Sequence, residues 1–247
     1  MISEKVFLKK PLNFKNKCHV YPPSVNEVLD ADAFSLYKKL LTISQEEIED
    51  EFNEKNLDMS NVLTPMEYLL NNIYNHKEFD AIAKAAFKFF IHQDVYFLCE
   101  AKKIIIGNLE EEINSISSIN QLVIIEEEEY FDFQNLIREA LGENTLSPPN
   151  PNEDPRIKRM KAKARYRDKV KAEKGMGLKL NSSLVSICCM NLGLNPLNIG
   201  ELSYAAIPFL IRYYQEKEKY QLDIDSLLAG ADSKKVKPKY WVRNIED

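Results

Sequence analysis

Glycine is scarce in this chain, 7 of 247 residues. Phosphate-cradling loops and tight hairpins lean on glycine, so nucleotide-binding folds start from a low expectation. Histidine is scarcer still, with 3 residues, which leaves few candidate bases. None of them lies in an Asp, Ser or Cys pattern that supports nucleophilic catalysis. There is no Walker A loop, no dinucleotide fingerprint and no HExxH motif. An enzyme is therefore not expected, nor is a cofactor or a resident metal.

Long hydrophobic runs are also missing. The first ten residues, MISEKVFLKK, lack the apolar core and small-residue cleavage site of a signal peptide. The most apolar stretches are Ala81 to Cys99 and Ala205 to Tyr214, and the first is broken by Lys84, Lys88, His92 and Asp94. Neither approaches the ~20 apolar residues of a membrane helix. The expectation is a soluble protein of a cytoplasm, with no membrane partner. Four cysteines occur: Cys18, Cys99, Cys188 and Cys189. The adjacent pair suits neither an ordinary disulfide nor a zinc site, and its apolar setting predicts buried core thiols. Cys18-His19 has no second ligand pair at metal spacing.

Charge is what the chain has in excess, and it is segregated. Of 33 Lys/Arg and 38 Asp/Glu, ten and two respectively fall in Arg156 to Lys174, RIKRMKAKARYRDKVKAEK. That segment carries +8 and the rest of the chain −13. Two acidic clusters stand out, Glu46 to Glu51 and Glu126 to Glu129. Both read as helix starts, where carboxylates complement the N-terminal dipole. They lack the alternating ligand spacing and Gly turn of a calcium loop.

The 45% apolar content is enough for a sizeable core. Residues 1–24 read as extended, given Pro11, Pro22, Pro23 and the alternation in Cys18-His19-Val20-Tyr21. Three capping signatures follow, Ser24 with Glu27, Ser44 with Glu47, and Thr64-Pro65 with Glu67. Val28, Leu29, Phe34, Leu36, Tyr37, Leu40 and Leu41 supply the apolar side behind the first, with a break near Asp30. Phe79, Ile82, Ala83, Ala86, Phe87 and Phe90 mark a further helix. Val95–Cys99, Lys103–Gly107 and Gln121–Ile125 read as strands of a small meander. Glu127 to Leu141 returns to helix, with Phe131, Phe133, Leu136, Ile137 and Leu141 inward and Gly142 as C-cap.

Ser147 to Pro155 is the clearest linker, with four prolines. After the cationic segment, Ser182 or Ser183 caps a helix through about Leu192, and Asn198 caps the next, which carries Ile199, Leu202, Ile207, Leu210, Ile211 and Tyr214. Pro208 inside it predicts a kink or a break. The pattern continues to Leu228, and Gly230 is the natural stop. The fold class expected is mainly α with a small β element. Residues 1–145 form an α+β module, 146–155 a Pro-rich linker, 156–175 a basic helix and 176–247 an all-α module.

The cationic helix has charge nearly all round and a narrow apolar stripe of Ile157, Met160 and Ala164. Such a helix is either solvated or docked on an anionic surface. It reads as a connector partly neutralised by the chain's own acidic clusters, as a recognition element for an acidic or helical protein, or as a nucleic-acid binder. Tyr166 is the only aromatic among the charges, so there is no stacking platform for single strands. A helix-turn-helix is disfavoured, because the second helix offers Tyr204, Ala205, Ala206, Ile207 and Phe209, which suit a core and not base edges.

The C-terminal stretch has a recognisable layout. Leu197-Asn198-Ile199-Gly200-Glu201-Leu202-Ser203-Tyr204 is followed by Tyr213 to Tyr220, Asp223-Ile224-Asp225, Leu227 to Ala231, and Lys239-Tyr240-Trp241. This resembles tail-morphogenesis proteins of tailed bacteriophages of low-GC bacteria, over roughly residues 155–247. The resemblance implies a structural or assembly protein, first of all a tail assembly chaperone that coats a helical tape measure. Its location would be the host cytoplasm or the virion, and its partners phage structural proteins. The alternatives are a nucleic-acid-associated phage protein acting through 156–174, or a fixed virion component. The candidate partner-binding residues are Arg156, Arg159, Lys163, Arg167, Lys171, Tyr214, Tyr220, Trp241 and Arg243. Trp241 either packs back on the C-terminal module or meets a partner directly.

Overall fold

The computed structural model describes residues 3–54, 62–107, 122–148, 153–173, 179–190 and 192–240. The chain is mainly α, with two small β-sheets among the described residues. Among the described residues no helix is long and apolar enough to cross a membrane.

The N-terminus departs from the extended reading. Ser3 accepts a hydrogen bond from the Val6 amide and starts a single turn, α1 (Glu4–Phe7). An antiparallel hairpin follows, β1 (Leu12–Phe14) with β2 (Cys18–Val20). Both strands alternate buried, exposed, buried, so Cys18 points inward and His19 outward. The two side chains lie on opposite faces and cannot share a ligand.

Each capping signature forms. Ser24 opens α2 (Val25–Asp30), and the Glu27 carboxylate accepts the Ser24 amide in return at 2.6 Å. A break follows Asp30, then α3 (Phe34–Thr42). Glu47 accepts from the Ser44 amide at 2.7 Å at the start of α4 (Gln45–Glu54). Thr64 caps α5 (Pro65–Asn75), with Pro65 where no amide is needed. Leu29 and Leu36, expected on the inner side, are exposed.

Helix α6 (Lys77–Ile91) is the centre of the core and buries Ala83, Ala86, Phe87, Phe90 and Ile91. It ends on His92, which takes the left-handed conformation at φ 57° and stacks on Tyr21 at 4.3 Å. The meander forms as β3 (Val95–Leu98), β4 (Lys103–Ile106) and β5 (Val123–Glu126), all antiparallel. Helix α7 (Glu127–Ala140) follows directly and buries Tyr130, Phe133, Gln134, Ile137 and Ala140. Tyr130 takes the inward position expected for Phe131, which is only half-buried. Phe133 meets Phe14 edge-on at 5.4 Å and stacks on Phe87 at 5.5 Å. Aromatic pairs of this kind add to the area they bury.

The basic segment is one helix, α8 (Pro155–Glu173). Asp154, in the N-cap position, accepts the Arg156 amide at 2.7 Å, with Pro155 just after it. Helix α9 (Leu180–Cys189) starts earlier than expected, so Ser182 and Ser183 lie inside it and cap nothing. Cys188 is half-buried and Cys189 exposed, contrary to two buried thiols. Neighbours on a helix point about 100° apart, so only one can face the core.

Asn198 caps no α-helix. Its side chain ties a loop instead, accepting the Asn195 amide at 2.7 Å and donating to the Gly193 carbonyl at 3.1 Å. A 3-10 turn, Ile199–Glu201, precedes α10 (Ala206–Leu228). Pro208 neither kinks nor breaks a helix, because it sits in the first turn of one, where the missing amide costs nothing. The run ends at Leu228, and Gly230 follows at φ +97°.

The residues before α10 are stitched to the N-terminal half. The Val25 amide donates to the Leu202 carbonyl and the Tyr204 amide to the Pro23 carbonyl, each at 2.9 Å. Ala205 belongs to the main core, while Val25 joins Ile187, Ile199 and Ile207 in a second cluster. Leu180 packs against both clusters.

Candidate partner-binding site

Helix α8 leaves and re-enters the body at two fixed points. Asn135 on α7 holds Leu146 by two bonds, at 2.6 and 3.2 Å. Leu180 marks the return. The intervening arm is thus tethered at both ends.

One side of α8 is joined to α4 by ion pairs. Lys158 Nζ is 2.8 Å from Glu49 Oε2. Arg165 donates through Nε to Asp50 Oδ2 at 2.7 Å and reaches Glu46 at 3.4 Å. Lys161 pairs with Glu153, just before the helix, at 2.5 Å. The hydrogen bond that Arg165 donates to Asp50 holds its guanidinium above the ordinary pKa, and Glu49 does the same for Lys158. The contact is made of charges. Ile157 and Met160 remain 49% and 71% exposed, so little apolar area holds the helix down.

The acidic cluster at 46–51 is therefore the seat of the basic helix. The second cluster has other partners. Glu129 takes Lys17 at 2.5 Å, Glu126 takes Lys103 at 2.8 Å, and Glu127 accepts the Thr64 hydroxyl at 2.8 Å. Lys102 bridges Glu67 and Glu127. The α4 acids pair with α8, while Glu129 holds the hairpin, Glu127 the meander turn, and Glu126 a strand neighbour within the meander.

The side of α8 turned away from α4 carries four of the nine residues expected to bind a partner. At about 100° per residue, Arg156, Lys163 and Arg167 fall within a sector of about 40°, and Arg159 beside them. Lys158 and Arg165 lie roughly opposite. All four outward cations are exposed and make no side-chain ion pair among the described residues. They span about 16 Å of helix. Of Lys171 only the helical backbone is described.

Tyr214 and Tyr220 lie on α10 and do not join this face. They sit about 120° apart around their own helix. Tyr220 meets Tyr240 edge-on at 5.7 Å, so its ring is engaged within the chain. Trp241 and Arg243 lie outside the described residues. Sequence reasoning missed which cations of α8 would be used internally. The signal was present as the seven-residue spacing of Lys158 and Arg165.

Among the described residues, no group of three or more His, Cys, Asp or Glu is placed to hold a metal ion. Compared with known proteins, the chain matches no family model, no curated protein and no solved structure.

Proposed function

We propose that this protein is a non-enzymatic morphogenesis factor of a tailed phage that holds a helical protein client such as a tape measure. The observation that carries the reading is α8. Its inner face is held by Glu49 and Asp50, and its outer face offers Arg156, Arg159, Lys163 and Arg167 to another molecule. A helix fixed in this way presents its side chains with less entropy left to lose on binding. The C-terminal spacing that resembles tail-morphogenesis proteins supplies the biological setting.

The test is co-expression with a candidate tape measure followed by pull-down. Retention of the client by the native chain, and its loss in R156E/R159E/K163E/R167E, supports the reading. A client that never co-purifies overturns it.

The same four cations support a second reading, binding to nucleic acid. Four phosphate contacts would give a salt dependence with a slope of about −3 to −4 in log K against log salt. Affinity for DNA that is absent, or flat with salt, removes that reading. Recovery of the polypeptide from purified virions would make it a fixed part of the particle.

A further inference from the structure

The outer surface of α8 has an apolar seam as well as cations. Ile157, Met160 and Ala164 follow one another at spacings of three and four. Together they occupy a sector of about 60° next to Arg156, Lys163 and Arg167. All three are exposed, so the core does not use them. In a heptad frame Ile157 is an a position, Met160 a d, and Ala164 the next a. Arg156 and Lys163 then take successive g positions, and Lys161 the e position between them.

We infer that α8 is one strand of a short heterotypic coiled coil, and that its partner is an acidic amphipathic helix of another protein. The apolar seam favours a helix over a nucleic-acid backbone, which has no use for exposed Ile157 and Met160. The flanking cations select the sign of the partner, whose glutamates would face Arg156 and Lys163. A second copy of α8 is a poor occupant, because in parallel strands Lys161 of one would face Arg156 of the other. The small Ala164 lets the partner backbone approach closely at that level. The chain already shows the charge complementarity on the opposite side, where Lys158 and Arg165 of α8 pair with Glu49 and Asp50 of α4. The inference rests on the reading of α8 as the holding element and adds the class of client.

The experiment uses the full chain and labelled probes in fluorescence anisotropy. The first probe is a synthetic helical peptide as long as α8, with leucines at a and d and glutamates at e and g. The second is the same peptide with lysines at e and g, and the third is a mixed-sequence DNA duplex of similar length. The glutamate peptide is expected to bind. I157S/M160S should weaken it by about tenfold or more, and R156E/K163E should do the same. R156E/K163E should also gain affinity for the lysine peptide, a rescue that a merely damaged fold cannot give.

No binding of the glutamate peptide overturns the inference. So does an affinity unmoved by I157S/M160S, or a duplex that binds more tightly than the peptide. A tape measure that still co-purifies when the glutamate peptide fails leaves the proposed function standing and removes only the partner class. Loss of both removes both.

Discussion

Arg165 and Asp50 are 115 residues apart in the chain, and their side chains meet at 2.7 Å to join α8 to α4. Both side chains are partly shielded, 26% and 34% exposed. Pairs of this kind contribute about 1 kcal/mol or less. Arg165→Gln is expected to lower global stability by no more than that in urea unfolding. Its larger effect should be local, with faster tryptic cleavage within α8. A double-mutant cycle with Asp50→Asn should show the two changes to be non-additive. Additive effects would mean that the pair does not hold the arm.

Because the seat of α8 is charge on charge, salt should loosen it. Raising ionic strength from about 0.1 to 1 M shortens the screening length from about 10 to 3 Å. Hydrogen exchange in α8 should accelerate across that range, while exchange in α6, whose inner face is buried, should stay slow. Equal acceleration in both helices would contradict the arrangement.

Glu67 caps α5 and also receives Lys102. The Lys102 ammonium, with help from the Thr64 amide, holds the Glu67 carboxyl below its usual 4.5. A carboxyl with a lowered folded value stabilises the fold above its ordinary pKa, and that contribution fades as pH falls through the lowered one. Glu67→Gln should therefore cost about 1 kcal/mol at neutral pH, chiefly from the weakened cap. The variant should also lose less stability than the native chain on acidification below pH 4.5. Parallel curves would show that Glu67 does not titrate with folding.

Gly142 and Gly193 both take the left-handed region, at φ +71° and +75°. Around Gly193 there is open space, whereas a Cβ on Gly142 would meet the Ala205 carbonyl at 3.0 Å and its Cα at 3.1 Å. Gly193→Ala should cost about 1 kcal/mol of conformational strain. Gly142→Ala should cost roughly 2–3 kcal/mol, since the segment that enters α10 must shift as well. Unfolding midpoints of the two variants would separate the effects.

The cysteines differ in reach. Cys18 is buried, and burial pushes its thiol up to about 11. Cys189 is exposed. A thiol reagent at neutral pH should show a fast phase that Cys189→Ser removes, while Cys18 should react only on unfolding. A fast phase that survives in Cys189→Ser would place the reactive thiol elsewhere.

The features legible beforehand are those built from neighbours. Ser24 with Glu27 and Thr64 with Glu67 cap their helices through groups three residues apart, so the pattern is the structure. The meander and Gly142 were legible for the same reason, being set by local alternation and a backbone conformation that favours glycine. Pro208 was misread because position in a helix decides its effect, and that helix begins at Ala206 once Ala205 is drawn into the core. Cys189 was misread because composition says that a segment is apolar but not which side of it faces inward.

From the sequence alone came the mainly helical class, the caps, and a cationic helix with a narrow apolar stripe, since each depends on residues within a few positions of one another. Tertiary structure alone decided that α4 receives that helix, that Lys158 and Arg165 are spent inside the chain, and that Arg156, Arg159, Lys163 and Arg167 are left facing outward. The reason is physical. Ion pairing is blind to chain separation, so which of ten cations finds a carboxylate depends on where the folded core sets the two helices down.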